Sequence, residues 1–197
     1  MYLPTPEQIK AVMRSKGYVV FGGGPHGYDL NIFGVRTEDR AANTFNDWVG
    51  VMYLQHGVWN LFAFPATTDP GLYWRQHPMN VKGTAMLKPG QYRSAWELGY
   101  HQGKYEALTQ CKDVTVYRDA DRDNLAETGP EDTGRFGINI HRANAKQASS
   151  QVDKWSAGCQ VLADPMQFDF LLNLARKSAS IYGNHFSYTL LEEGDFT

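Results

Sequence analysis

The chain has 197 residues, of which 42% are apolar and 20% charged, a balance typical of a globular protein rather than a disordered one. Its formal net charge of −2 provides no basic excess for binding nucleic acid or an anionic membrane. No stretch approaches the roughly 18 consecutive apolar residues of a spanning helix, so we expect no membrane span. Two cysteines, Cys111 and Cys159, are too few for a disulfide framework. Cys111 lies in an alternating run, which predicts a small buried hydrophobe.

Two helices are predicted, one near each end of the chain. The first follows Thr5, a capping residue, has Pro6 in its first turn and ends before Gly17. The second runs through DPMQFDFLLNLARKSASIYG, where Asp164 caps it and Pro165 begins it. Its predicted apolar face consists of Phe168, Leu171, Leu172 and Ala175.

Between the helices, short apolar runs divided by turn residues predict β-strands. WVGVMYLQHGVWNLFAFPA predicts a hairpin with its turn near His56 and Gly57. The other predicted strands are YVVF, YRSAWELGY, YEALTQ, VTVYRD, FGINIHR and FSYTLLEE. The predicted fold class is therefore mainly β with flanking helices. We expect residues 1–44 to form an N-terminal helix and extension packed on a main domain of residues 45–197.

Cys159 lies in a setting that suits nucleophilic chemistry. It follows S-A-G after a polar loop, and His141 ends an apolar strand eighteen positions upstream. A thiol becomes a good nucleophile when a histidine takes its proton or pairs with the thiolate, and we expect a site built around a thiolate. Gly158 lets the backbone turn tightly, and the N–H groups of Gly158 and Cys159 are predicted to hold an oxyanion. From residue types alone, an ordinary buried cysteine and histidine remain the alternative.

The stretch from His141 to Cys159, a histidine, fourteen residues and then S-A-G-C, resembles the signature of the L,D-transpeptidase catalytic domain. VWNLFAFPATTDPGLYW and GTAMLKPGQY are similar to upstream segments of that family, so the resemblance covers residues 45–163. It implies a β-sandwich-like or barrel-like fold with no metal or organic cofactor. It also implies that Cys159 is the nucleophile acylated by peptidoglycan stem peptides and that His141 is the general base. Ser156 matches the hydroxyl residue of the motif, and Gly158 matches the glycine beside the nucleophile.

Two positions depart from the pattern of that family. Ala157 stands where a second histidine is usual, and Val161 stands where the family tends to have an Arg or Asn that helps bind a substrate carboxylate. Arg142, next to His141, is a candidate for that anion contact, with a solvated charge at a strand end as the alternative. Trp155 is a candidate for a contact in the cleft, with core packing as its alternative.

A weak calcium site is predicted in RDADRDNLAE. Asp119, Asp121 and Asp123 lie at alternate positions, as in the first half of a calcium loop. The glycine and the final acidic ligand of an EF-hand are missing, so an acidic solvated loop is the alternative. His56 and His101 are predicted at turns or on a cleft wall rather than as metal ligands, and no Cys or His spacing predicts zinc.

The resemblance implies a cysteine-dependent enzyme that acts on peptidoglycan stem peptides through a thioester, by transpeptidation or by hydrolysis. A catalytically inactive wall-binding or virion module with the same fold is the alternative, and an unrelated cysteine peptidase is a third interpretation. The first residues show no charged-then-apolar leader. We therefore expect cytoplasmic synthesis with action at the cell wall, through phage-type release or in a virion, or else a trimmed periplasmic protein.

Overall fold

A computed structural model describes residues 3–41 and 43–197, and these residues form a mainly β structure with a few helices. In chain order the elements are α1 (Pro6–Ser15), β1 (Asn31–Arg36), β2 (Asp47–Gln55), β3 (Val58–Thr67), α2 (Leu72–Gln76), β4 (Thr84–Leu87), β5 (Gly90–His101), β6 (Tyr105–Gln110), β7 (Val114–Asp119), β8 (Glu131–Gly134), β9 (Ile140–Arg142), β10 (Gln160–Leu162), α3 (Pro165–Tyr182), β11 (Phe186–Glu192) and a 3-10 helix (Glu193–Phe196). Within the described ranges, no helix has the length and apolar character needed to cross a membrane.

Eight strands close a barrel in the order β1-β11-β5-β6-β9-β10-β3-β2, and β4, β7 and β8 form a separate sheet. Most neighbours in the barrel are antiparallel, but β1 runs parallel to β11 and β9 runs parallel to β10. The predicted class, mainly β with flanking helices, is confirmed. A specifically L,D-transpeptidase-like topology stays a prediction.

Strand β1 lies inside the predicted N-terminal extension of residues 1–44. It pairs with β2 on one side and with β11 on the other, and so completes the barrel. The predicted boundary at residue 44 therefore falls between two adjacent barrel strands. Residues 1, 2 and 42, which belong to the predicted extension, lie outside the described residues.

Both predicted helices form, and each begins directly after its predicted capping residue. Thr5 accepts a hydrogen bond from the backbone N–H of Gln8, whose side chain bonds back to the Thr5 backbone. Asp164 caps α3 by accepting from the N–H of Met166. The predicted apolar face of α3 is buried and joins the main core with residues of the barrel strands.

The β2–β3 hairpin also forms as predicted, with its turn at His56 and Gly57. Both residues have positive φ, 50° and 78°, as a type I′ turn requires. Nine register pairs join the two strands, from Asp47 with Ala66 to Gln55 with Val58. This hairpin supplies β3, the antiparallel neighbour of β10 at the candidate site.

The predicted strand YVVF does not form, because side-chain amides occupy its backbone groups. Gln91 accepts from the N–H of Val19 at 2.9 Å and donates to the carbonyl of Val19 at 2.8 Å. Asn31 bonds the N–H and carbonyl of Phe21 in the same way, at 2.8 and 2.7 Å. These backbone groups are satisfied without a neighbouring strand.

The predicted strand FGINIHR is shortened to β9 for a similar reason. The side-chain oxygen of Gln110 accepts from the N–H groups of Phe136 and Ile138, both at 3.0 Å. The indole of Trp96 donates to the carbonyl of Ile138 at 2.7 Å. The chain thus enters the barrel only at Ile140.

Candidate active site

His141 and Cys159 belong to neighbouring parallel segments of the barrel. His141 lies in β9 and pairs with Val161 of β10, while Cys159 directly precedes β10. The pairing extends back toward Cys159, because the N–H of Gln160 donates to the carbonyl of Asn139 at 2.9 Å. Cys159 therefore lies two positions before Val161, the residue that pairs with His141, on the segment next to β9.

The hydrogen bonds of His141 leave one ring nitrogen free to act as a base. Nδ1 lies 2.8 Å from the carbonyl oxygen of Arg142 and 3.1 Å from the hydroxyl of Tyr105. A carbonyl can only accept, so Nδ1 carries the proton and Nε2 carries the lone pair. Nε2 is buried and has no hydrogen-bond partner among the described residues. This is the tautomer that a general base requires.

The thiol of Cys159 is half-buried and free, as is that of Cys111. Its Sγ donates to the carbonyl of Gly137 at 3.3 Å rather than to His141. To act as a nucleophile, the thiol must therefore turn away from Gly137 and toward Nε2 of His141.

Burial keeps both groups of this pair uncharged. It raises the pKa of the Cys159 thiol to about 11, against a smaller opposing effect of a hydrogen bond from the Asn139 backbone. Burial also lowers the pKa of His141 to about 3, and the nearby His101 and Arg142 disfavour the imidazolium further. Between these values the proton stays on sulfur. The resting site therefore differs from the expected thiolate.

Ser156 and Gly158 shape the turn that presents Cys159. The buried Ser156 hydroxyl donates to the carbonyl of Cys159 at 2.8 Å and accepts from the N–H of Gly158 at 3.2 Å. Ser156 thus stabilises the loop. The N–H of Gly158, one of the two predicted to donate to an oxyanion, already donates to the Ser156 hydroxyl. Among the described residues, only the N–H of Cys159 remains without an acceptor in that pair.

Two aromatic side chains that the sequence did not place at the site hold the base. The ring of His101 stacks on that of His141 with centroids 4.0 Å apart, and its Nδ1 accepts from the Asn139 amide at 3.0 Å. His101 is the last residue of β5, and it pairs with Tyr105, the first residue of β6. The hydroxyl of Tyr105 contacts Nδ1 of His141. His101 was predicted only on a turn or cleft wall. The short turn between His101 and Tyr105 is the one feature of the sequence that indicates that the two side chains lie close together.

A cavity of about 610 Å³ opens beside His141. Arg142 and Trp155, the two predicted substrate contacts, both line it together with His101 and Tyr105. The Arg142 guanidinium lies over the Tyr105 ring at 4.1 Å, and Trp155 is 42% exposed. The structure therefore brings the predicted base and the predicted contacts to one cleft wall.

The two positions that depart from the family motif have other surroundings. Val161 is fully buried in β10, so it offers nothing to a substrate. Ala157 lines a separate cavity of about 310 Å³ together with Phe136 and Arg135. His101, rather than a residue at position 157, is the second imidazole at His141.

No family model, no curated protein and no solved structure matches this chain. The resemblance to the L,D-transpeptidase domain therefore stays a prediction that rests on the sequence motif.

The acidic loop uses its carboxylates within its own backbone. Asp121 accepts from the N–H of Asp123, Asp123 from that of Leu125, and Asp119 from that of Glu127. Burial raises the pKa of Asp119 to about 6, and the crowding of Asp121 and Asp123 adds to this rise. Across the described ranges, these carboxylates do not converge into a group of metal ligands.

One mixed group of donors does come together, away from the cleft. Atoms of Glu97, Cys111 and His185 lie within 4.8 Å of one another. The Cys111 thiol donates to the carbonyl of Ser94 at 3.6 Å, and burial raises its pKa. The group is not a metal site, and no cofactor is indicated.

Proposed function

We propose that the protein is a cysteine-dependent enzyme that modifies peptidoglycan stem peptides through a thioester acyl-enzyme, with an L,D-transpeptidase-like barrel. The main support is the buried, unpartnered Nε2 of His141 on the strand beside Cys159. The S-A-G-C motif and its spacing from His141 point to stem peptides as the substrate class. The proposed place of action is the cell wall, reached by phage-type release, in a virion or as a trimmed periplasmic protein.

In the first half-reaction the Cys159 thiol turns from Gly137 to His141. Nε2 takes the proton while Sγ bonds to the peptide carbonyl carbon, and the N–H of Cys159 donates to the oxyanion. The imidazolium of His141 then gives this proton to the leaving amine as the C–N bond breaks, which leaves a thioester. Because both groups start neutral, proton transfer accompanies the attack rather than preceding it.

In the second half-reaction an acceptor attacks the thioester carbonyl. His141 takes the proton of the acceptor, the C–S bond breaks, and sulfur recovers the proton from His141. An amine acceptor yields a cross-link, and water yields a cleaved stem peptide. Both outcomes use the same residues of this chain.

The second candidate is an inactive wall-binding or virion module with the same fold. One observation favours it: the Cys159 thiol is bonded to the Gly137 carbonyl and its pKa is raised to about 11, so no thiolate is present at rest. Such a module would bind peptidoglycan without turning it over.

Purified sacculi and mass spectrometry of the released or newly joined peptides test the proposal. We expect products from the wild type and from Cys111→Ala, the matched control in which the other thiol is removed. Cys159→Ala should give none, and Cys159→Ser almost none, because a hydroxyl is a far weaker acid than a thiol. His141→Ala should slow turnover by about 100-fold or more.

Thermal unfolding of each variant confirms that the loss of turnover is not a loss of fold. Wild-type turnover by Cys159→Ala would refute the nucleophile assignment. Wild-type protein that binds sacculi and changes no peptide would favour the inactive module instead.

A further inference from the structure

The 610 Å³ cavity beside His141 has a positively charged wall. Lys104, Arg142, Lys146 and Lys154 line it, and none of its lining residues is Asp or Glu. None of these four cations forms a salt bridge in the described part of the chain. The concentration of charge is local, because the whole chain has a formal net charge of −2.

Aromatic rings, rather than carboxylates, hold two of these cations in position. Arg142 lies over the ring of Tyr105 at 4.1 Å, and Lys154 lies over the ring of Tyr73 at 4.2 Å. A cation held on a ring face keeps N–H donors available for an anion. No carboxylate of the cavity lining neutralises these cations, so the wall favours binding of a negatively charged ligand.

We propose that this cavity binds a peptide segment that carries several carboxylates, the acidic part of the substrate. The inference rests on the proposed function, because it takes the cavity, which His141 lines and Cys159 does not, to hold the part of the substrate next to the reacting bond. A peptide fits better than a single phosphate group, since the four cations come from the β5–β6 turn, from β9 and from the loop before β10. Tyr105 and Trp155 add aromatic surface that suits the apolar parts of a peptide chain.

A bound carboxylate also has a chemical consequence at the base. The charge of Arg142 is one of the causes that disfavour the imidazolium form of His141. A substrate carboxylate beside Arg142 offsets that charge and so favours the imidazolium that forms during attack. The substrate thus assists its own reaction.

Peptide binding to the Cys159→Ala variant tests the inference without any turnover. Tetraglutamate, tetraglutamine and tripolyphosphate are titrated at low ionic strength and followed by calorimetry. The test pair is Lys146→Gln with Lys154→Gln. The control pair is Lys112→Gln with Lys177→Gln, which are also exposed, have no salt bridge and change the net charge equally.

We expect tetraglutamate to bind, tetraglutamine not to bind, and added salt to weaken the complex. The test pair should weaken tetraglutamate binding by roughly tenfold, and the control pair should leave it nearly unchanged. No binding, equal losses in both pairs, or binding of tripolyphosphate in place of tetraglutamate would overturn the inference. Selective binding by a protein that turns over no sacculi would leave the site standing and refute the proposed function alone.

Discussion

At the scale of single residues, Cys159 keeps its proton because its surroundings disfavour charge. The thiol is half-buried, and its bond to Gly137 favours the protonated form, in which sulfur is the donor. His141 cannot stabilise a resting thiolate as an imidazolium, since burial holds its own pKa near 3. In the proposed mechanism the pair therefore acts by general base catalysis and not through a preformed ion pair.

The rate of Cys159 alkylation as a function of pH tests this state. In Cys111→Ala, which leaves one thiol, we expect the rate with iodoacetamide to rise with pH toward a midpoint of about 11. Circular dichroism over the same range controls for unfolding. A midpoint below that of a free thiol, about 8.5, would show a stabilised thiolate and contradict this account.

At the scale of elements, the turn before β10 depends on the absence of a side chain at Gly158. Its φ of +123° lies in a region that other residues rarely adopt, and an added Cβ would lie 2.3 Å from the carbonyl oxygen of Ala85. Ser156 then closes the turn from within. The position of Cys159 thus follows from backbone geometry as well as from strand pairing.

Gly158→Ala should therefore lower the free energy of unfolding by about 3 kcal/mol, through strain and the contact with Ala85. Gly103→Ala is the matched control, because Gly103 has a φ of +69° but open space around it. We expect it to cost about 1 kcal/mol. Urea unfolding measures both, and equal costs would show that the close approach to Ala85 has no effect on stability.

The elements with strong local signals could be predicted from the sequence. Helices α1 and α3 have capping residues and an apolar face, and the β2–β3 hairpin has alternating strands around a two-residue turn. Strands β1, β4 and β10 were missed because they are buried on both faces, which removes the alternation, and β4 and β10 are also short. YVVF was predicted wrongly because the distant amides of Asn31 and Gln91 replace a partner strand there.

In the candidate site too, residues with a local sequence signal could be predicted, and residues brought in by the fold could not. The local motif indicated His141, Cys159 and Ser156, and the structure places the first two on adjacent segments. The roles of His101 and Tyr105 follow from barrel order, since β5–β6 lies beside β9 only after the barrel closes. No spacing within the chain predicts that neighbourhood.

At the scale of the whole molecule, buried ionisable groups link stability to pH in opposite directions. Burial raises the pKa of Asp69 to about 6 from 3.8, so this group favours folding less as pH rises through that interval. His141 has a folded pKa of about 3 against 6.5 when unfolded, so its unfolded form takes up a proton first as pH falls. The contribution of His141 to stability is present above pH 6.5 and is lost on acidification.

His141→Gln isolates this contribution. Between pH 7 and pH 4, the free energy of unfolding of the wild type should fall more than that of the variant, by about 3 kcal/mol. Asp69 is present in both proteins, so its opposite effect cancels in the comparison. Urea unfolding at the two pH values measures the difference. Equal falls would show that His141 titrates normally in the folded state.

The most direct test of the central claim is the mass of the protein after a brief reaction with a stem peptide and an acid quench. We expect an adduct equal to the acyl part of the peptide, mapped to Cys159 by proteolysis. It should be present in Cys111→Ala and absent from Cys159→Ala. Stem-peptide turnover without an adduct, or an adduct on Cys111, would contradict the assignment of Cys159 as the nucleophile.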